Sequence, residues 1–127
     1  MARVLVMEDE PGIRMVLKMA LSDEGHEVVT VPDGKLGMQS LEEESTLPDI
    51  VLVDLFMPGI SGCQVVESMC ARARLKNIPI IILTGSDVDW VNMPPENSYK
   101  ALIRKPFELN DVINTVNTLT KYTEKTA

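Results

Sequence analysis

Basic residues are in short supply in this chain. Over 127 residues, 12 Lys and Arg stand against 19 Asp and Glu, a formal net charge of −7. Binding to DNA or RNA is driven by neutralising phosphates, and docking on anionic membranes by surface cations. The charge balance therefore argues against both as direct modes of action. Long apolar runs are missing too, since none approaches the roughly 20 residues that cross a bilayer. The N-terminal MARVLVMEDE has a short apolar run closed by acids, without the charged, apolar and small-residue pattern of a signal peptide. A cytoplasmic location is the resulting expectation. Soft metal ligands are few: two cysteines, Cys63 and Cys70, and one histidine, His26, in a different segment. On one helix, seven residues separate the thiols by about 10 Å, too far for a disulfide. Two buried or half-buried free thiols are expected, with no zinc-type site.

What the chain does have is alternation. RVLVM (3–7), EVVTV (27–31), DIVLVD (49–54), PIIIL (79–83) and KALIR (100–104) read as strands. The third and fourth are nearly continuous apolar runs, as in strands covered on both faces. Helical patterns lie between them. Ile13, Val16, Leu17, Ala20 and Leu21 repeat at the spacing of one helix face, with Pro11 in the first turn and Gly25 at the stop. Leu109, Val112, Ile113, Val116 and Leu119 form a second stripe. Weaker helices are expected over 34–44, with Leu36 and Leu41 as apolar positions, and over 61–73, with Val65, Val66 and Met69. Between the fourth and fifth strands, SDVDWVNMPPEN (86–97) carries Pro94 and Pro95, which bar a through-running helix. A short or irregular helix near 87–93 followed by a loop, or a tidy helix anchored by Trp90 and ending at the prolines, both fit. Parallel strands need crossover helices, so the expected fold is α/β: a (βα)5 three-layer sandwich around a five-stranded parallel sheet. The length suits one domain, taken as 1–120, with a polar tail KYTEKTA (121–127) that frays.

Ligands of open parallel sheets bind beyond the carboxyl ends of the strands. The first strand delivers Glu8, Asp9 and Glu10 there, the third Asp54, the fourth Thr84, Gly85 and Ser86, and the fifth Arg104, Lys105 and Pro106. Taken singly, an acidic pair is a solvated loop, a Thr a cap and a Lys a surface residue. Together they make a patch of mutually repelling carboxylates with a hydroxyl and a cation. A hard divalent ion such as Mg²⁺ relieves that repulsion. Mg²⁺, Lys105 and Thr84 around a phosphoryl group are the usual stabilisers of phosphoryl transfer, and Asp54 is then the nucleophile.

With VLVMEDE (4–10), VLVDLFMPGISG (51–62), IIILTGS (80–86) and IRKPF (103–107), the sequence resembles the receiver domains of bacterial two-component response regulators, of the chemotaxis-type single-domain kind. The resemblance covers nearly the whole chain and implies a flavodoxin-like fold. It implies that Asp54 accepts a phosphoryl group from the phosphohistidine of a sensor histidine kinase or phosphotransfer protein. It implies Asp9 as direct Mg²⁺ ligand, Glu8 as its partner through water, and the Phe56 backbone carbonyl as a further ligand. Thr84 takes the place of the switch hydroxyl, and Lys105 that of the cation pairing with acceptor and phosphoryl. The Lys105–Pro106 peptide is commonly cis in such domains. The output implied is altered contact with a downstream effector protein, as a monomer or a weak phosphorylation-dependent dimer.

Three positions depart from the pattern. Leu102 stands where many receivers carry Tyr or Phe, the proline-broken 86–97 segment lies in the usual output face, and Glu8 replaces Asp. Phe56, two residues past Asp54, either shields the phosphoryl group from water or simply packs on a loop. Two other readings stay open. A pseudo-receiver would bind partners without phosphorylation. An aspartate-nucleophile phosphohydrolase would want Asp where Phe56 stands.

Overall fold

The computed structural model describes residues 2–43, 45, 47–85 and 93–126. Its elements are β1 (Arg3–Met7), α1 (Pro11–Asp23), β2 (Glu27–Val31), α2 (Gly34–Glu43), β3 (Ile50–Asp54), α3 (Gly62–Ala71), β4 (Ile80–Thr84), a 3-10 turn (Glu96–Ser98), β5 (Ala101–Arg104) and α4 (Leu109–Thr126). The five strands pair in parallel in the order β2-β1-β3-β4-β5. This is the flavodoxin-like α/β arrangement. Its strand order reverses between β1 and β3, and such switch points leave a crevice at the carboxyl ends.

Two cores flank the sheet, and the period of two in the strands sorts side chains between them. Val4, Val6, Ile50, Leu52, Ile81 and Leu83 pack with Leu17 and Leu21 of α1 and Val112 and Val116 of α4. Leu5, Met7, Val51, Val53, Ile80 and Ile82 pack with Met38 and Leu41 of α2 and Val65, Val66 and Met69 of α3. Burial on both faces explains the unbroken apolar runs of β3 and β4.

Several local expectations shift. β3, β4 and β5 each begin one residue later than the apolar runs suggest, so Thr84 is the last residue of β4. In α2 the inward residues are Met38 and Leu41, while Leu36 is exposed. A Met and a Gly at Met38 and Gly37 hide that face from a Leu/Ile/Val pattern. α3 stops at Ala71, where Arg72 turns extended. Both cysteines do lie on α3 as free thiols, Cys63 half-buried but Cys70 exposed rather than inward. The helix expected near 87–93 falls almost wholly on 86–92, outside the described residues; Met93, Pro94 and Pro95 are not helical. α4 runs to Thr126, through most of the segment expected to fray. KYTEKT holds no Pro or Gly to stop a helix. No helix among the described residues is long and apolar enough to cross a membrane.

Two helix starts border the carboxyl end of the sheet. α3 opens with a reciprocal capping box between Ser61 and Gln64. α1 opens on Glu10 with no side-chain cap, relying on Pro11 at its first turn, and closes at Gly25, whose φ of 92° suits glycine.

Candidate functional site

Glu8, Asp54 and Lys105 each stand two residues beyond a side chain of the α1–α4 core: Val6, Leu52 and Ile103 respectively. The two-residue period therefore aims all three toward one face. Met7 pairs with Val53, which makes Glu8 and Asp54 next neighbours across β1 and β3. Lys105 reaches in from the far side, its backbone N–H donating to the Thr84 carbonyl at 2.7 Å. Its Nζ donates to Asp54 Oδ2 at 2.9 Å and to Glu8 Oε1. The Lys105–Pro106 peptide is cis.

Glu8 is fully buried, and its second oxygen, Oε2, has no hydrogen-bond partner among the described residues. Asp54 is nearly buried, and its Oδ1 accepts the Phe56 N–H at 3.0 Å. Asp9 is exposed. One carboxylate oxygen from each of Glu8, Asp9 and Asp54 lies within 4.8 Å of the others. Thr84 is fully buried, and its hydroxyl also lacks a partner among the described residues.

Electrostatics follow from that crowding. Burial, with Asp54 alongside, pushes the Glu8 carboxyl up to about 8, against the pull of Lys105. Burial also disfavours an ionised Asp54, but the neighbouring Glu8, Lys105 and the Phe56 N–H outweigh it, so Asp54 lies below its ordinary value. Burial favours a neutral Lys105, but Glu8 and Asp54 together hold it above the usual lysine value. With no cation bound, burial and the neighbouring carboxylate favour the protonated form of Glu8, while Asp54 is favoured ionised. A buried acid with an unpartnered oxygen and a second carboxylate beside it is costly to keep. A divalent cation among the three acidic groups would replace that proton, so these residues fit an oxygen-ligated metal.

A sequence model of the response regulator receiver domain matches residues 4–117, most of the chain. The chain belongs to the response regulator receiver family. Among curated relatives, protein PilH of Pseudomonas aeruginosa is 31% identical over 121 residues, covering 92% of this receiver and 96% of PilH. Sporulation initiation phosphotransferase F of Bacillus subtilis is 26% identical over 115 residues, covering 90% of each chain. Other relatives are longer: the receiver spans 39% of the transcriptional regulatory protein AfsQ1 of Streptomyces coelicolor. Among solved structures, response regulator TrrA of Thermotoga maritima, in complex with Mg²⁺-BeF, is 29% identical with a TM-score of 0.80, covering 94% of this chain and 99% of TrrA. The domain is thus a two-component signalling module built on a flavodoxin-like fold.

Of the residues singled out from sequence, the receiver brings Glu8, Asp9, Asp54 and Lys105 into one cluster. Phe56 touches it through its backbone, and Thr84 sits on the adjacent strand end, where Asp54 pairs with Leu83. Two residues at the site escape the sequence reading. Arg14 donates to the carbonyls of Glu8 and Asp9, and Gly62 lies against the backbone of Asp54 and Leu55. Only a basic residue one turn into the helix after an acidic pair hints at the first. The glycine at the start of α3 reads as ordinary turn chemistry.

Proposed function

We propose that this receiver is a phosphoacceptor switch, with Asp54 taking a phosphoryl group from a histidine kinase or a phosphotransfer protein. The observation that supports this best is the convergence of Asp54 with Lys105 and a fully buried Glu8 whose second oxygen lacks a partner among the described residues. In the step itself, an ionised Asp54 oxygen attacks phosphorus, the phosphorus–nitrogen bond of the phosphohistidine breaks, and the imidazole nitrogen leaves with that electron pair. Asp54 is suited to this because its neighbours keep it ionised. Lys105 Nζ already sits on Oδ2, from where it can pair with the incoming phosphoryl oxygens. The buried Thr84 hydroxyl, without a partner among the described residues, is the group that a phosphoryl oxygen would recruit. Mg²⁺ would be held by Glu8, Asp9, Asp54 and the Phe56 carbonyl, and it supplies positive charge against the phosphoryl oxygens.

The receiver module is taken as residues 1–120, with 121–127 an extension outside it. Phosphorylation shifts a two-state equilibrium read by an effector protein. The chain is a monomer or a weak phosphorylation-dependent dimer, acts in the cytoplasm, and contacts neither nucleic acid nor membrane directly. Its chemistry is limited to self-phosphotransfer and self-dephosphorylation.

Incubation with Mg²⁺ and acetyl phosphate, followed by intact mass and by mapping of the hydroxylamine-labile site, tests this. One phosphoryl group mapped to Asp54 is the expected result. Rapid multiple turnover would favour a phosphohydrolase, and no gain a pseudo-receiver.

Two predictions arise here. Glu8 has a raised value, so its neutral form stabilises the fold fully below the ordinary glutamate range. That contribution is lost as pH rises toward about 8. Melting in EDTA is expected to fall across this window, and added Mg²⁺ to restore it increasingly as pH rises, because metal binding expels the proton. A melting temperature independent of pH in EDTA would rule out a protonated Glu8. Phe56 bears on signal lifetime: it lies two residues past the acceptor, and its side chain is 55% exposed. Phe56→Asn is expected to speed phosphoryl loss by roughly tenfold, about 1.4 kcal/mol off the barrier. Equal loss rates, followed by mass after removal of the donor, would dismiss the shielding role.

A further inference from the structure

The loop between β1 and α1 has to present both Glu8 and Asp9, and it is only three residues long, Glu8 to Glu10. On its amide side, the Glu8 N–H donates to the Val31 carbonyl at 3.1 Å. The next helix, α1, has no side-chain N-cap to anchor its start. What holds the other side of the loop is Arg14, one turn into α1. Its Nη1 donates to the Glu8 carbonyl at 2.8 Å and to the Asp9 carbonyl at 3.0 Å. Its own N–H donates to the Glu10 carbonyl at 3.0 Å, so the guanidinium springs from a hydrogen-bonded turn. The side chain is half-buried, and its planar donor group bridges two consecutive carbonyls whose residues carry the acidic pair.

From this geometry we infer that Arg14 is a positioning residue for the divalent cation. It touches neither the cation nor the phosphoryl group. It fixes the backbone from which Glu8 and Asp9 project, and so sets the spacing of their oxygens relative to Asp54. Groups that orient metal ligands typically contribute 10–100-fold to affinity. Arg14 also places a positive charge behind the acidic loop, on its carbonyl side. The inference rests on the reading of the acidic cluster as a metal site.

The test uses Mn²⁺ as the probe, since it accepts the same octahedral oxygen ligands. Free Mn²⁺ is followed by electron paramagnetic resonance in titrations of the full chain. Wild type, Arg14→Ala, Arg14→Lys and Arg72→Ala are compared, each also melted in EDTA. Arg72 pairs with Glu42, away from the site, and controls for loss of a surface cation. The expected result is a roughly tenfold or greater weakening of Mn²⁺ binding in Arg14→Ala. Arg14→Lys should fall between, since an ammonium can donate to the carbonyls but lacks the fixed planar orientation of the two Nη1 hydrogens. Arg72→Ala should match wild type. Weakening at a temperature where the variant is fully folded in EDTA supports positioning; a purely structural residue would lower the melt and leave Mn²⁺ binding intact. Arg14→Ala or Arg14→Lys binding Mn²⁺ as tightly as wild type overturns the inference while leaving the metal site standing. Wild type failing to bind Mn²⁺ overturns the metal site itself, and this inference with it.

Discussion

Asp54→Asn is expected to take up no phosphoryl group from acetyl phosphate, against one per chain for wild type. The amide is nearly isosteric with the carboxylate and can keep its oxygen on the Phe56 N–H, as Oδ1 does at 3.0 Å. What it loses is the ionised oxygen, and an amide is not a nucleophile toward phosphorus. The fold should survive the change. Lys105 loses its 2.9 Å partner, but Glu8 also binds Lys105 and loses the neighbouring carboxylate that, together with burial, raises its value. The two effects oppose each other, so the net change in stability is expected to stay within about 1 kcal/mol. Asp54→Asn should carry a second signature. With residue 54 neutral, the Glu8 value should drop from about 8, and the fall in melting temperature with pH in EDTA should flatten. Intact mass and a pH series of thermal melts read both outcomes. Full phosphoryl gain by Asp54→Asn would remove Asp54 from the chemistry altogether.

Gly62→Ala should be among the most damaging single changes in the chain. A Cβ there would overlap the Asp54 carbonyl oxygen and lie 2.6 Å from the Leu55 Cα. Both are backbone atoms at the end of a fully buried strand, so they cannot swing aside. α3 must lift off or the segment after β3 must move, at a cost of about 3 kcal/mol. Gly37→Ala is the informative contrast. The three atoms nearest its Cβ would all belong to the Met7 side chain, with Sδ overlapped and Cε 2.6 Å away. A thioether can change rotamer, and alanine returns about 0.5–1 kcal/mol of helix propensity. Urea melts should therefore rank Gly62→Ala well below Gly37→Ala. The phosphorylation rate should fall only in Gly62→Ala, because the displaced atoms belong to Asp54. Equal stability of the two variants would mean that α3 can slide without penalty.

Much of this arrangement is legible in the linear order of residues, because strand periodicity is a local property. An apolar run of alternating inward sides, followed at the right parity by Glu8, Asp54 or Lys105, places those groups on one face whatever the rest of the chain does. Thr84 and the acidic pair are likewise read from strand ends. The α2 face is harder to read: Leu36 stands out in the pattern, yet Met38 and Gly37 do the packing, and neither is conspicuous as a core residue. The continuation of α4 past residue 120 is hidden for a different reason. Polarity alone does not stop a helix, and KYTEKT holds neither Pro nor Gly.

By itself the sequence determined the α/β class, the five strand ends and the types of chemical group they deliver, all set by neighbours a few residues apart. Tertiary structure alone decided how those groups meet. The order β2-β1-β3-β4-β5 sets Glu8 beside Asp54, burial favours the protonated form of Glu8, and packing brings Arg14 behind the acidic loop and Gly62 onto the backbone of Asp54. Strand order, desolvation and close backbone approach each sum over segments far apart in the chain, and no local pattern records that sum.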